Sequence, residues 1–253
     1  MIEVIILGSG TGVPYYPRNS SGYCIKINDT PLLFDMGAGI VRRMLEAGID
    51  YKTTEHLFIS HRHPDHTSDL IPFFFAMNYT PQYKRTTPFY LYGPDGFPEI
   101  MKKMMDIYPW MLPRHFHLEM KEMAKKTEVS GESWMVRSQP VIHGDVTAVS
   151  YRIETQGKVI AYSGDSGYCD SLIENAKDAD LLIIECSFPS RLELKGVHLN
   201  TREVAEVASK AGAKKLILTH LYPFCDEEPI LEEIRENFKG EVQKGEDLMK
   251  VNL

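Results

Sequence analysis

The 253-residue chain is poor in cysteine and tryptophan, carries no excess of positive charge and has no long apolar run. Each shortage excludes something. Cys24, Cys169, Cys186 and Cys225 are far apart, and none stands in a Cys-x-x-Cys pair. That spacing offers neither a disulfide framework nor a structural zinc knot, and it predicts free, buried thiols. The net charge of −7 means that no global positive field attracts nucleic acid, so any polyanion site has to be a local patch. No apolar stretch approaches the ~20 residues of a membrane span. Met1–Leu7 is too short for a secretion signal and lacks its basic start, so a cytoplasmic protein is expected. No Pro/Ser-rich linker, low-complexity tract or charge block interrupts the chain. A composition of 43% hydrophobic and 25% charged residues suits a globular protein with a sizeable core, read here as one domain over 1–253.

What the sequence does have is concentrated in Ser60-His61-Arg62-His63-Pro64-Asp65-His66. Three imidazoles and a carboxylate fall within six residues, as His-x-His-x-Asp-His. The stretch follows the short apolar run Glu55–Ile59, which has strand character, and precedes Thr67-Ser68-Asp69, which are good helix starters. A strand-to-helix turn can hold all four side chains on one loop. Imidazole nitrogen and carboxylate oxygen suit a borderline divalent metal such as zinc. Four ligands at this spacing exceed what one ion takes from so tight a turn, so they read as two pairs: His61 with His63, and Asp65 with His66. The motif resembles the signature of the metallo-β-lactamase superfamily.

Taken in order, Val4–Leu7 is a β-branched run entering Gly8-Ser9-Gly10-Thr11-Gly12. A dinucleotide-binding turn needs a glycine where Val13 stands, and Pro14 blocks the helix that should follow. Strands are expected over Tyr23–Ile27, Leu32–Phe34 and Phe89–Tyr92, and helices over Ile40–Ala47, Leu70–Asn78 and Glu99–Ile107. His115 and His117 form a second His-x-His, but with no further ligand nearby they read as a solvated strand edge. From Trp134 the layout recurs. Ala148–Glu154 and Lys158–Tyr162 make a hairpin, Leu181–Ile184 and Lys215–Leu218 are fully apolar strands, and Leu172–Asp178, Thr201–Ala211 and Glu228–Phe238 are helices. Two sheet-plus-helix halves match the fold that the resemblance implies: an α/β, four-layer αβ/βα sandwich with metals at the seam.

Two ions need ligands beyond the tetrad. His143 follows an apolar pair, Asp165 sits in a glycine turn at a strand end, and His220 ends the last apolar strand. Their order matches the superfamily's later motifs. The resemblance thus implies His61, His63, His143 and Asp165 on one ion and Asp65, His66, His220 and Asp165 on the other. An open position for water is left between them, as a catalytic site requires. The ions are expected to be Zn²⁺, with Mn²⁺ or Fe²⁺ compatible with the same donors.

Such a centre suits phosphodiester hydrolysis by metal-activated hydroxide, but also lactone, thioester or β-lactam opening. Glu185 lies just past a buried strand, and His198 shortly before a helix. A His oriented by a Glu is a proton donor for a departing alkoxide; residue type alone favours instead a surface strand end for Glu185 and a solvated loop residue for His198. The glycine loop with Arg18-Asn19-Ser20, and Glu185 followed by His198-Leu199-Asn200-Thr201, resemble the ribonuclease Z branch of the superfamily, with Asn200 a departure where a small hydroxyl residue is usual. That resemblance implies Asp65, Glu185 and His198 as catalytic side chains and runs from Ile2 to Pro223.

The tRNA-processing members carry a long arm between the positions of His143 and Asp165, where this chain has only a hairpin. Arg18, Arg191 and Lys195 are each placed to touch one or two phosphates. The expected substrate is therefore a small or cyclic nucleotide. A tRNA 3′-processing endonuclease with an RNA substrate, a lactone or thioester hydrolase, and a non-catalytic binding protein are the alternatives. Relatives in this branch imply a homodimer, for which exposed Tyr, Phe and Met residues around 73–111 are the expected contact. No membrane partner is expected.

Overall fold

A computed structural model describes residues 1–192 and 197–253. The first half contributes β1 (Ile2–Gly8), β2 (Gly22–Ile27), β3 (Thr30–Phe34), α1 (Ile40–Glu46), β4 (His56–Phe58), α2 (Pro64–Thr67), α3 (Leu70–Tyr79), β5 (Phe89–Gly93), α4 (Phe97–Ile107) and β6 (Leu118–Glu122). The second contributes β7 (Glu128–Ser130), β8 (Met135–Val141), β9 (Ala148–Thr155), β10 (Lys158–Tyr162), α5 (Asp170–Asn175), β11 (Leu181–Glu185), α6 (Thr201–Ala211), β12 (Lys215–Thr219), α7 (Ile230–Asn237) and β13 (Glu241–Lys244), before β14 (Lys250–Asn252) closes the chain.

Among the described residues these strands form two sheets, in the orders β14-β1-β2-β3-β4-β5-β6 and β13-β12-β11-β10-β9-β8-β7. Each begins as an antiparallel meander and continues parallel, from β3 in one and from β10 in the other. The expected recurrence is therefore present, starting slightly earlier, at β7. The final strand returns to pair antiparallel with β1.

The apolar runs are continuous because both strand faces are covered. Along β1, Ile2, Val4 and Ile6 face the space between the sheets, where they meet Tyr151, Ile153, Tyr162 and Ile183 of the second sheet. Ile5 and Leu7 instead face the layer of α1, α3 and α4. Leu182, Ile184, Leu216 and Leu218 do the same under α5, α6 and α7. The result is helix, sheet, sheet, helix: four layers with three cores.

Two local details depart from expectation. The helix after the histidine turn begins at Pro64, not after His66, with His63 in extended backbone at its N-cap. Proline at the first helical position is preorganised for a helix start, so Asp65 and His66 stand on a helical turn rather than a loop. Asp69 does not cap the helix it precedes; its carboxylate accepts the Gly39 and Val41 amides at 3.0 and 2.8 Å, at the start of α1. At α6, Asn200 accepts the Glu203 amide at 3.0 Å while Glu203 accepts the Asn200 amide at 3.1 Å, a reciprocal cap. The departure at Asn200 thus retains a good helix start. His115 and His117 are exposed ahead of the edge strand β6.

Candidate active site

Both sheets end their parallel strands at the same rim, and the side chains singled out by sequence stand there together with Asp35, which was not among them. Asp35 follows β3, the Ser60–His66 turn follows β4, His143 follows β8, Asp165 follows β10, Glu185 ends β11 and His220 follows β12. Carboxyl ends of strands are where open α/β sheets place their ligands. Close approach of the loops demands glycine at two points. A Cβ on Gly37 would lie 2.0 Å from the Asp65 carbonyl oxygen. One on Gly164, at φ +59°, would lie 2.8 Å from the Val149 carbonyl and 2.9 Å from Ser60 Cβ. Without those two residues neither the Asp35 loop nor Asp165 could press against the histidine turn.

The side chains form two clusters sharing one carboxylate, with donor atoms in each lying within 4.8 Å of one another. In the first, His61 Nε2 and His143 Nε2 lie 3.0 and 3.1 Å from His63 Nδ1, and 3.7 and 3.9 Å from Asp165 Oδ2. In the second, His220 Nε2 lies 3.4 Å from Asp65 Oδ2 and 3.2 Å from Asp165 Oδ2, and His66 Nε2 lies 3.3 Å from Asp165 Oδ1. The structure thus brings together all seven side chains, from turns as far apart in sequence as His61 and His220.

The chemistry of these groups fits divalent ions. Three imidazole nitrogens converging at about 3 Å cannot all hydrogen-bond one another, but they can share a cation. Among the described residues the fully buried His66 Nε2 has no hydrogen-bond partner, an orphan atom that an ion would satisfy. The far nitrogens are held in place. His66 Nδ1 donates to Asp35 Oδ2 at 2.7 Å, His143 Nδ1 to the Val197 carbonyl at 2.8 Å, and His220 Nδ1 stands 3.0 Å from Ser187 Oγ. Such partners fix tautomer and ring orientation in metal-binding histidines. Burial, followed by the neighbouring His66, holds the His61 pKa well below the usual histidine value. Asp165 stays ionised against its burial because His220, His66 and His61 surround it. His66 is equally buried, yet Asp165 and Asp35 favour its cation. The same carboxylates that hold a proton there would hold a metal charge.

Glu185 and His198 lie beside both clusters. His198 Nδ1 donates to Glu185, 3.0 Å from Oε1 and 3.2 Å from Oε2. Its ring centroid is 5.0 Å from those of His143 and His220. Glu185 is not the surface strand end that residue type alone allows: it is 1% exposed and also accepts the Ser166 and Leu199 amides and the Ser187 hydroxyl. Those bonds commit it to orienting His198. Burial lowers the His198 pKa, but Glu185 more than reverses this, raising it to about 9. With Nδ1 engaged, Nε2 is the atom left to exchange a proton.

Of the three expected phosphate contacts, Arg18 is turned away. It forms a bidentate pair with Asp226, at 2.9 and 2.7 Å, and donates to Ser9 Oγ and the Gly245 carbonyl. Its role is to bind the 9–19 loop to the C-terminal segments. Arg191 is exposed and paired with Glu228, and Lys195 lies outside the described residues. Sequence reasoning passed over Asp35 and Ser187. Asp35 accepts from His66, from the Ser60 amide and hydroxyl, and from Tyr162 at 2.5 Å. The one signal for it was an aspartate, rather than a turn-forming small residue, between a buried strand and Gly37. The four cysteines are free and buried.

Residues 31–221 match the family model described as Beta-lactamase superfamily domain. The chain is 28% identical to a ribonuclease Z of Myxococcus xanthus over an alignment of 305 positions that spans all of this chain and 98% of the relative. It is 29% identical over 247 positions to a probable metallo-hydrolase, YhfI, of Bacillus subtilis, with 95% of this chain and 96% of the relative covered. The YhfI crystal structure superposes with a TM-score of 0.87 over 99% of this chain. The short form of human tRNase Z superposes with a TM-score of 0.79 at 20% identity, covering 99% of this chain and 98% of that one.

Proposed function

The chain belongs to the β-lactamase superfamily, and we propose that within it this protein is a dinuclear-metal phosphodiesterase acting on small or cyclic nucleotides. His61, His63, His143 and Asp165 hold one ion; Asp65, His66, His220 and Asp165 hold the other. Zinc is the proposed metal, on a donor set of imidazole and carboxylate alone. When bound, two such ions supply an acidified water and neutralise charge on phosphoryl oxygens. The protein's own part is distinct. Asp165 orients toward both clusters, Asp35 and Ser187 keep the histidine rings in register, and His198 releases a proton from Nε2 to the departing alkoxide while Glu185 stabilises the imidazolium.

The observation that carries this reading is the Glu185–His198 pair beside the two clusters. A thioester releases a thiolate, which needs such help less, whereas a nucleoside alkoxide, like the alkoxide of an opened lactone, is a poor leaving group. The small substrate is supported by the short connection between His143 and Asp165, where β9 and β10 turn through Gln156 and Gly157 alone. The alignment with ribonuclease Z also runs well beyond the 253 residues of this chain, while that with YhfI does not. A tRNA 3′-processing role is the second reading, favoured by the relatives named ribonuclease Z.

A panel of bis-p-nitrophenyl phosphate, cyclic mono- and dinucleotides, precursor tRNA, a lactone and a thioester decides among these. Hydrolysis of a cyclic nucleotide with precursor tRNA uncut supports the proposal. Faster 3′ cleavage of precursor tRNA replaces it with the second reading, and turnover of the lactone or thioester alone removes both.

A homodimer is proposed to form through the exposed Phe75, Tyr79, Ile107, Trp110 and Leu112; light scattering on a Trp110→Glu, Leu112→Glu variant tests it, since a dimer there would dissociate. A cytoplasmic location is proposed on the four unpaired thiols. Among the described residues no helix is long and apolar enough to cross a membrane.

A further inference from the structure

Three aromatic rings flank the acid side of the site. Phe188 lies 5.4 Å from Tyr222 and 5.9 Å from Phe224, each at 21°, and Tyr222 lies 5.7 Å from Phe224 at 11°. The three ring planes are therefore nearly parallel. They meet the imidazoles steeply: Phe188 and Tyr222 make angles of 64° and 79° with His198, and Tyr222 makes 82° with His220. Tyr222 and Phe224 rest partly on the core under α6 and α7 but remain half-exposed. Packing alone accounts for their buried edges. It does not account for the aligned rings of Tyr222 and Phe224 left half-open beside a metal cluster and a proton donor, with Phe188, itself buried, stacked against them.

We propose that Tyr222 and Phe224, packed on the buried ring of Phe188, form a stacking wall for the nucleobase of the substrate. The inference deepens the phosphodiesterase reading and rests on it. A proton donor has to stand next to the departing oxygen, so whatever that oxygen carries lies against the neighbouring wall. In a cyclic nucleotide, the departing oxygen and the base share one ribose, which keeps the base on the same side as His198. A flat heterocycle extends a set of near-parallel rings, as bases do on the aromatic platforms of single-strand-binding proteins, and such stacking tolerates any base. Tyr222 also stands at the reacting centre: its ring centroid lies 6.0 Å from that of His220 and 6.5 Å from that of His198. A purely alkyl or acyl group would gain less from flat, aligned rings than from a greasy pocket.

The test uses the zinc-loaded enzyme turning over bis-p-nitrophenyl phosphate, with AMP and ribose 5-phosphate as competing inhibitors that differ by the base. Wild-type enzyme is expected to bind AMP roughly tenfold more tightly than ribose 5-phosphate. Tyr222→Leu and, independently, Phe224→Leu are expected to bring that ratio below about twofold, while Tyr222→Phe keeps it. Metal content and thermal melting report whether each variant folds, and the conservative Tyr222→Phe keeps the comparison available if a leucine variant does not. Equal inhibition by the two phosphates in wild type, or a ratio unchanged by either leucine substitution, overturns the wall and leaves the phosphodiesterase reading standing. No inhibition by either, with no phosphodiester turned over, overturns both.

Discussion

Asp35 Oδ2 accepts the Nδ1 proton of His66 at 2.7 Å, although the two residues lie 31 positions apart and both are completely buried. Asp35 reaches this position only by adopting the left-handed backbone, at φ 58°, just past β3. His220, another of the clustered residues, does the same at φ 53°. Side chains other than glycine pay for that conformation, and it persists where surrounding bonds over-determine it. Asp35 has four such bonds.

Replacing Asp35 by Asn keeps the shape but sets an amide donor against the His66 N–H. The expected outcome is a loss of metal affinity of about 10- to 100-fold, the usual effect of removing a partner behind a ligand. Chelator competition measures it. Unaltered affinity with a folded protein would show that Asp35 serves the fold alone.

Asp65→Ala and Asp165→Ala should each abolish phosphodiester hydrolysis to within background. Asp165→Ala should also lower the bound metal more, because it faces both clusters. Elemental analysis beside the kinetic assay separates lost metal from lost chemistry. Activity surviving in Asp165→Ala would remove the shared-carboxylate arrangement.

The His198 imidazole of the metal-free protein should titrate near pH 9, followed by nuclear magnetic resonance. Glu185→Gln should bring it down to or below the ordinary 6.5, since burial by itself lowers it. A histidine raised on folding contributes stability that is fully present below pH 6.5 and is lost as the pH climbs through about 9. Metal-free wild type should therefore weaken across that interval, and His198→Ala should weaken less. With metal present, His198→Ala should cut kcat by about 10²- to 10⁴-fold for a nucleoside leaving group and much less for p-nitrophenolate, which departs without a proton.

Arg18→Met should destabilise the fold by roughly 2–4 kcal/mol, because it leaves Asp226 only the more distant Lys244, 3.8 Å away, and removes the tie between the glycine loop and the C-terminal segment. Arg18→Lys should recover little, as an ammonium cannot satisfy Asp226, Ser9 and the Gly245 carbonyl together. Denaturant unfolding of the three proteins checks it; equal midpoints would refute the tether.

Much of the scaffold could be read from local pattern. The helix over Thr201–Ala211 stands where its periodicity placed it, with one face buried, and the strands around Leu181 and Lys215 stand where their unbroken apolar runs placed them, because both of their faces are covered. Short edge elements such as β6, β7 and β14 were less legible: their residues are half-exposed, and pairing with a neighbour, not composition, makes them strands. The site divides the same way. Residues carrying the superfamily motifs were recognisable because their order and spacing are themselves the signal. Asp35 and Ser187 were not, since an acid or a hydroxyl acquires meaning only from what the fold sets beside it.

Arg18 marks the boundary most sharply. Its charge and its neighbours in sequence point to a phosphate, while in the folded chain all three guanidinium nitrogens are engaged with Asp226, Ser9 and Gly245. By itself the sequence determined the alternation of strands and helices, the two half-sheets and the identity of the clustered donors, all properties of short segments. Only tertiary structure decided which carboxylate serves which imidazole, because hydrogen bonds between residues 31 or 208 positions apart depend on how the sheets pack, and no local pattern carries that information.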